Sequence, residues 1–260
     1  MSTTPPTSAA PTWVLLRGLT REAAHWGSFP SMFRQVLPGA QLHLLDLPGN
    51  GARHAERSPA TVQALVSDVR QQVAQRGIST PVQVLALSLG AMVAAQWAHT
   101  APHELAGAVL VNTSLRPFSP LHHRLHPRNW PRVLRLALGR PTPEAAERLV
   151  WQMTSRQRSV DEAVIAAWVS ARRQHPVRGA NALRQLLAAA RYRAPAQAPA
   201  VPLLLLAGAG DRLVDPRCSH ALAQAWRAPL REHPRAGHDL PLDDPHWVAE
   251  QVRDWLSTPR

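Results

Sequence analysis

Residues 84–93 read Val-Leu-Ala-Leu-Ser-Leu-Gly-Ala-Met-Val, an apolar run broken by one serine and one glycine. A β-run that ends at a serine and continues as a helix is a variant of the G-x-S-x-G turn. In that turn a sharp strand-to-helix bend holds the serine hydroxyl out for nucleophilic attack. Gly90 supplies the room the bend needs, because a Cβ there would crowd the strand or the following helix. Ala86 stands where the first glycine would be.

A serine hydroxyl is a poor nucleophile until an imidazole takes its proton, and a carboxylate must fix that imidazole's tautomer. Asp211 follows the apolar run 201–207, in Gly208-Ala209-Gly210-Asp211-Arg212. His238 follows a weaker run near 229–233, in Arg235-Ala236-Gly237-His238-Asp239. Asp215 competes for the acid role, but it precedes a proline, where aspartate starts a turn or caps a helix. Asn112-Thr113-Ser114, after the fourth apolar run, offers no carboxylate. His233 falls in a strand pattern and His246 in a helix pattern, which leaves the loop residue His238 as the base. An oxyanion would need two N–H donors. Leu89 provides one at a helix N-terminus, where negative charge is favoured. Leu19, in the loop Leu16-Arg17-Gly18-Leu19, provides the second. One such donor lowers an acyl-transfer barrier by about 3–4 kcal/mol.

The elements that must hold these residues alternate along the chain. Apolar runs at 13–16, 41–45, 82–87, 106–111, 201–207 and 229–233 are separated by helical patterns near 60–76, 89–100, 219–227 and 245–256. Asp244-Pro245 is a fitting start for the last of these, a capping acid followed by proline in the first turn. Continuous apolar strands between helices predict a parallel sheet buried on both faces. The fold class is therefore α/β, with a mostly parallel sheet of about six strands. The core is expected over 13–112 and 201–260, after a disordered tail over 1–12.

Residues 113–200 have another texture: many prolines and helical patterns near 143–158, 160–174 and 178–192. An insertion between adjacent parallel strands emerges at the sheet's carboxyl edge, where open α/β sheets bind ligands, so this segment is expected to be a helical cap. The chain of 260 residues has no lysine, 29 arginines and a net charge of +12. Between Leu115 and Ala198 lie 15 arginines against four acids, so nearly all of the excess sits in the cap segment. That basic segment is open to three readings: a solvated helix surface, a site for an anionic substrate or carrier, or a surface for anionic lipid. Arg128 to Leu138 interleaves arginine with apolar residues, as interfacial segments do. No nucleic-acid motif accompanies the charge. His122, His123 and His126 lack a nearby Cys, Asp or Glu and read as an exposed loop, not a metal site. The lone cysteine, Cys218, reads as a small apolar filler and fits a reducing compartment. Trp151 and Trp168 read as core of the cap helices.

With serine, aspartate and histidine in that chain order, the sequence resembles the α/β-hydrolase-fold serine hydrolases. The similarity covers 13–112 and 201–256. It includes Asp46-Leu47-Pro48-Gly49-Asn50-Gly51, which matches the family's D-x-P-G-x-G turn. Leu16 to Glu22, followed by His25-Trp26-Gly27, resembles a branch of small bacterial hydrolases of unassigned substrate. The resemblance implies a cytoplasmic, cofactor-free enzyme that cleaves a small-molecule carboxylic ester or thioester through an acyl-enzyme, and the basic segment leaves an anionic substrate among its readings. The same fold and triad also serve carbon–carbon bond hydrolysis, lyase chemistry or ligand binding without turnover. Arg17-Gly18 stands where many relatives have His-Gly, which implies either a differently arranged oxyanion hole or an extra positive charge there. The first strand corresponds to the family's third, which would leave a sheet edge able to pair with another chain.

Overall fold

The computed structural model describes residues 11–139 and 141–258. Six strands form one sheet: β1 (Thr12–Leu16), β2 (Gln41–Leu45), β3 (Val82–Leu87), β4 (Leu105–Val111), β5 (Leu203–Gly208) and β6 (Leu230–His233). Their order across the sheet is β2-β1-β3-β4-β5-β6, and every neighbouring pair is parallel. Helices α1 (Phe29–Val36), α2 (Val62–Gln75) and α3 (Leu89–Thr100) connect the first four strands. Between β4 and β5 run α4 (Leu121–Arg124), α5 (Trp130–Leu138), α6 (Pro143–Thr154), α7 (Glu162–Gln174) and α8 (Gly179–Arg191). The chain closes with α9 (Arg217–Trp226), α10 (Leu240–Asp243) and α11 (Pro245–Leu256).

The strands are apolar throughout because both faces are covered. Val14, Leu16, Val84, Ala86, Leu110 and Leu205 pack under α2, α3 and α9. Their alternate neighbours Trp13, Leu15, Leu85, Leu87, Val109 and Leu204 pack under α1 and α11. That two-residue alternation is the pleat itself. A third cluster, with Val150, Trp151 and Met153 of α6 against Ile165, Trp168 and Val169 of α7, gives the helices between β4 and β5 a core of their own.

Helix starts follow their caps. The Asp244 carboxylate accepts from Trp247 N–H at 2.9 Å, Thr61 Oγ1 from Ala64 N–H and Thr142 Oγ1 from Ala145 N–H. Helix α1 has no matching expectation from sequence. Pro30 in its first turn looks like a breaker but is tolerated there, and Phe29 and Phe33, four residues apart, supply the buried face. The histidine segment expected as a loop holds the short helix α4, so His122 and His123 are helical, with His123 half-buried. The expected tail lies outside the described residues as far as residue 10. Its last residue, Thr12, already pairs with Gln41.

Helix α3 crosses close under the end of β1. A Cβ on Gly90 would lie 2.7 Å from both the Leu16 and Arg17 carbonyl oxygens, and backbone cannot yield as a side chain can. Gly90→Ala is therefore expected to cost about 1–3 kcal/mol, read as a lower urea midpoint at unchanged slope.

Candidate active site

Ser88 joins β3 to α3 with φ 57° and ψ −115°, a strained left-handed conformation for a residue with a Cβ. Neighbouring strands pin it there. Its N–H donates to Val111 O at 3.0 Å, and its carbonyl accepts from Thr113 Oγ1 at 3.3 Å. A Cβ on Gly18 would sit 3.1 Å from Ser88 Cβ, so the loop after β1 passes directly beside the serine.

Asp211 and His238, 27 residues apart in the chain, meet. His238 Nδ1 lies 2.7 Å from Asp211 Oδ2, and both side chains are almost wholly buried. The other oxygen of Asp211 accepts from the Leu213 and Val214 N–H groups at 2.8 and 3.0 Å, which fixes the carboxylate plane. Asp215 instead accepts from Arg217 N–H at the start of α9 and pairs with the Arg217 guanidinium, which holds its carboxyl down at about 2. His233 sits at the end of β6 against Asp244, and His246 lies on α11 beside Glu250.

Ser88 and His238 line the same cavity. Its remaining wall is mostly apolar, with Val133 and Leu136 of α5, Val150 and Met153 of α6, and Leu186 of α8. Leu19 also lines it. Neither the Leu19 nor the Leu89 N–H donates a backbone bond among the described residues. Leu89 is the first residue of α3, where such donors are left over.

Several residues that hold this arrangement escape the sequence reading. Arg17 and Asp239 form a buried bidentate ion pair at 3.0 and 2.6 Å, tying the loop after β1 to the residue after His238. The extra positive charge that Arg17 brings to the oxyanion loop is thus neutralised by Asp239. The signal was an acid directly after the candidate base, opposite in sign to an arginine at another strand end. Asn112, with φ 45°, donates from its amide to Gly237 O and His238 O, while its Oδ1 accepts from Gly208 N–H. That one amide holds the histidine loop against the end of β5. From the other side, Asp243 accepts from Gly237 N–H, Arg156 N–H and Ser155 Oγ, and burial pushes its carboxyl up. Gln185 of α8 accepts from Thr20 N–H at 2.8 Å and donates to Asn50 Oδ1 at 2.9 Å, fastening the loop after β1. Asp46 of the D-x-P-G-x-G turn accepts from the Ala23 and Ala52 N–H groups. Gly51 of that turn has φ 53°, and a Cβ there would strike Asp46. Cys218 is fully buried away from the cavity, and burial pushes its thiol up to about 11.

Residues 16–245 match the model of a protein family described as serine aminopeptidase, S33. A pimeloyl-[acyl-carrier protein] methyl ester esterase from Pectobacterium atrosepticum is 28% identical over 249 residues, covering 92% of this chain and 91% of the relative. A protein of the same name from Xanthomonas campestris pv. campestris is 34% identical over 104 residues. That match takes in 40% of this chain and spans only 37% of the relative's length. The crystal structure of the enol-lactonase from Burkholderia xenovorans LB400 superposes with a TM-score of 0.79 at 19% identity, over 96% of this chain and 93% of the other. At that identity the likeness speaks for the fold.

Replacing Arg17 by Met should cost about 3–5 kcal/mol in urea unfolding, because it strands the buried Asp239 carboxylate. Cys218 should resist iodoacetamide at pH 8 in the folded protein and react fully in urea, as mass spectrometry would show.

Proposed function

Because the chain belongs to the serine aminopeptidase S33 family of α/β hydrolases, we propose that it cleaves a carboxylic ester or thioester through Ser88, His238 and Asp211. The observation that carries this reading is the 2.7 Å contact between His238 Nδ1 and Asp211, on a histidine that shares its cavity with the strained Ser88. Asp211 keeps the Nδ1 proton on the ring, which leaves Nε2 free to act as base. His238 takes the Ser88 hydroxyl proton as Oγ attacks the substrate carbonyl, and the N–H groups of Leu89 and Leu19 receive the resulting oxyanion. His238 then returns the proton to the departing alcohol or thiol. The acyl-enzyme is released by water, activated by the same imidazole. In this reading the helices between β4 and β5 act as a cap that supplies the apolar wall for the acyl group. The single buried cysteine fits work in the reducing cytoplasm.

An ester fits this cavity better than the N-terminal peptide that the family description suggests. An aminopeptidase must hold an α-ammonium group, and the charged side chains lining the cavity are Arg17, Arg21, Arg172 and Asp239, the last already paired with Arg17. That wall repels a cation. Aminoacyl nitroanilides should accordingly be poor substrates next to nitrophenyl esters. The esterase names of the sequence relatives point the same way.

A fluorophosphonate probe and a short-chain nitrophenyl ester test the assignment. The wild-type protein should be labelled and should turn over the ester, and Ser88→Ala should lose both. Asp211→Asn should lower kcat by about 10⁴-fold, as expected when a triad histidine is left in the wrong tautomer. A wild-type protein with neither labelling nor turnover would turn the reading to ligand binding without catalysis. Labelling without ester turnover would turn it to carbon–carbon bond chemistry.

A further inference from the structure

Beside Ser88 and His238, the main cavity is lined by two arginines that share one carboxylate. Arg21 Nη1 donates to Glu147 Oε2 at 2.6 Å, and Arg172 Nε donates to Glu147 Oε1 at 2.5 Å. Two guanidiniums thus share one buried carboxylate. Arg17 is neutralised by Asp239. Glu22, bonded to His175 Nδ1 at 2.8 Å, faces a smaller adjoining cavity that Arg172 and Glu147 also line, and it lies within the field of Arg21. His25 registers the field. Its ring is held well below its usual range by burial first, then by Arg21, Arg17 and Arg172.

The two guanidiniums are not equivalent. Arg21 is buried and stacked over the Trp168 ring, 4.1 Å from its centroid. Arg172 is 21% exposed, and it lines the main cavity along with Ser88. Only its Nε is engaged. The two terminal nitrogens make no hydrogen bond among the described residues. Glu147 therefore anchors an arginine whose planar fork stays open inside an apolar cavity, backed by a second cation. A fork of that shape matches a carboxylate, donating two parallel N–H bonds.

We propose that Arg172, anchored by Glu147 and backed by Arg21, is an anion subsite for a carboxylate on the substrate's acyl group. The preferred substrates would then be half-esters or half-thioesters of dicarboxylic acids, with the second carboxyl free. The methylenes between the two ends would lie on the apolar wall of Leu136, Val150 and Met153. This inference rests on the hydrolase reading and narrows it to a substrate class.

Binding to the Ser88→Ala protein tests the subsite without turnover. Monomethyl glutarate, adipate and suberate are titrated by calorimetry against their dimethyl counterparts. At least one half-ester should bind about tenfold or more tighter than its diester, as expected for a charge-assisted pair. Arg172→Gln in the same background should erase that advantage, and Arg172→Lys, which keeps the charge but not the fork, should retain only part of it. Equal binding of half-esters and diesters, or a preference that survives in Arg172→Gln, overturns the proposal. If the Gln variant does not fold, the Lys variant decides: a reduced preference supports the subsite and an unchanged one overturns it. The two readings fail separately. An inert Ser88 leaves the binding measurement intact, whereas a working esterase with equal KM for half-esters and diesters removes the subsite alone.

Discussion

The buried ion pair between Arg17 and Asp239 is the constraint around which the carboxyl end of the sheet is organised. Three strands separate β1 from β6 in the sheet, yet the loops that leave them are joined by two hydrogen bonds at 3.0 and 2.6 Å. Two charges taken out of water are stable only where their geometry is met closely. The pair therefore admits one mutual placement of the two loops. Trp26 covers the Arg17 guanidinium at 4.9 Å and stacks on Phe29, which leads through Phe33 to Trp13 of β1. The charged contact is thus buttressed by an aromatic chain that begins in the sheet itself.

Neutral amides do the finer placement. Asn112, Gln185 and Asn181 each span two or three backbone or side-chain partners from different elements. A buried amide left half-satisfied is costly, so each fixes its partners in register without adding charge near the reacting atoms. This division of labour suits a site whose hydrolytic chemistry would develop negative charge on an oxygen. Carboxylates hold the cations, and amides work beside Asp243 in holding the histidine loop.

Most of the scaffold was legible in the sequence because its signals are local. The six apolar runs fall on the six strands, the four core helical patterns fall on α2, α3, α9 and α11, and those of the intervening segment fall on α6, α7 and α8. Ser88, Asp211 and His238 stand out because each lies in the turn or loop that follows a strand, with glycines close by. What escaped is non-local. Arg17 and Asp239 are 222 positions apart, and Arg21 and Glu147 are 126 apart. No periodicity connects such residues, and an arginine in a chain so rich in arginine carries little signal by itself. In the sequence Asn112 marks only a place without a carboxylate, whereas in the fold its amide carries the histidine loop. Helix α1 was hidden by Pro30, whose position in the first turn reverses its usual meaning.

The bonds from Gln185 to Thr20 and Asn50, and from Asn181 to Glu56 and Ser58, join α8 to the sheet's own loops. These bonds tie α8 to loops at both β1 and β2. On the hydrolase reading, such anchoring would favour selection by a preformed mould over induced fit.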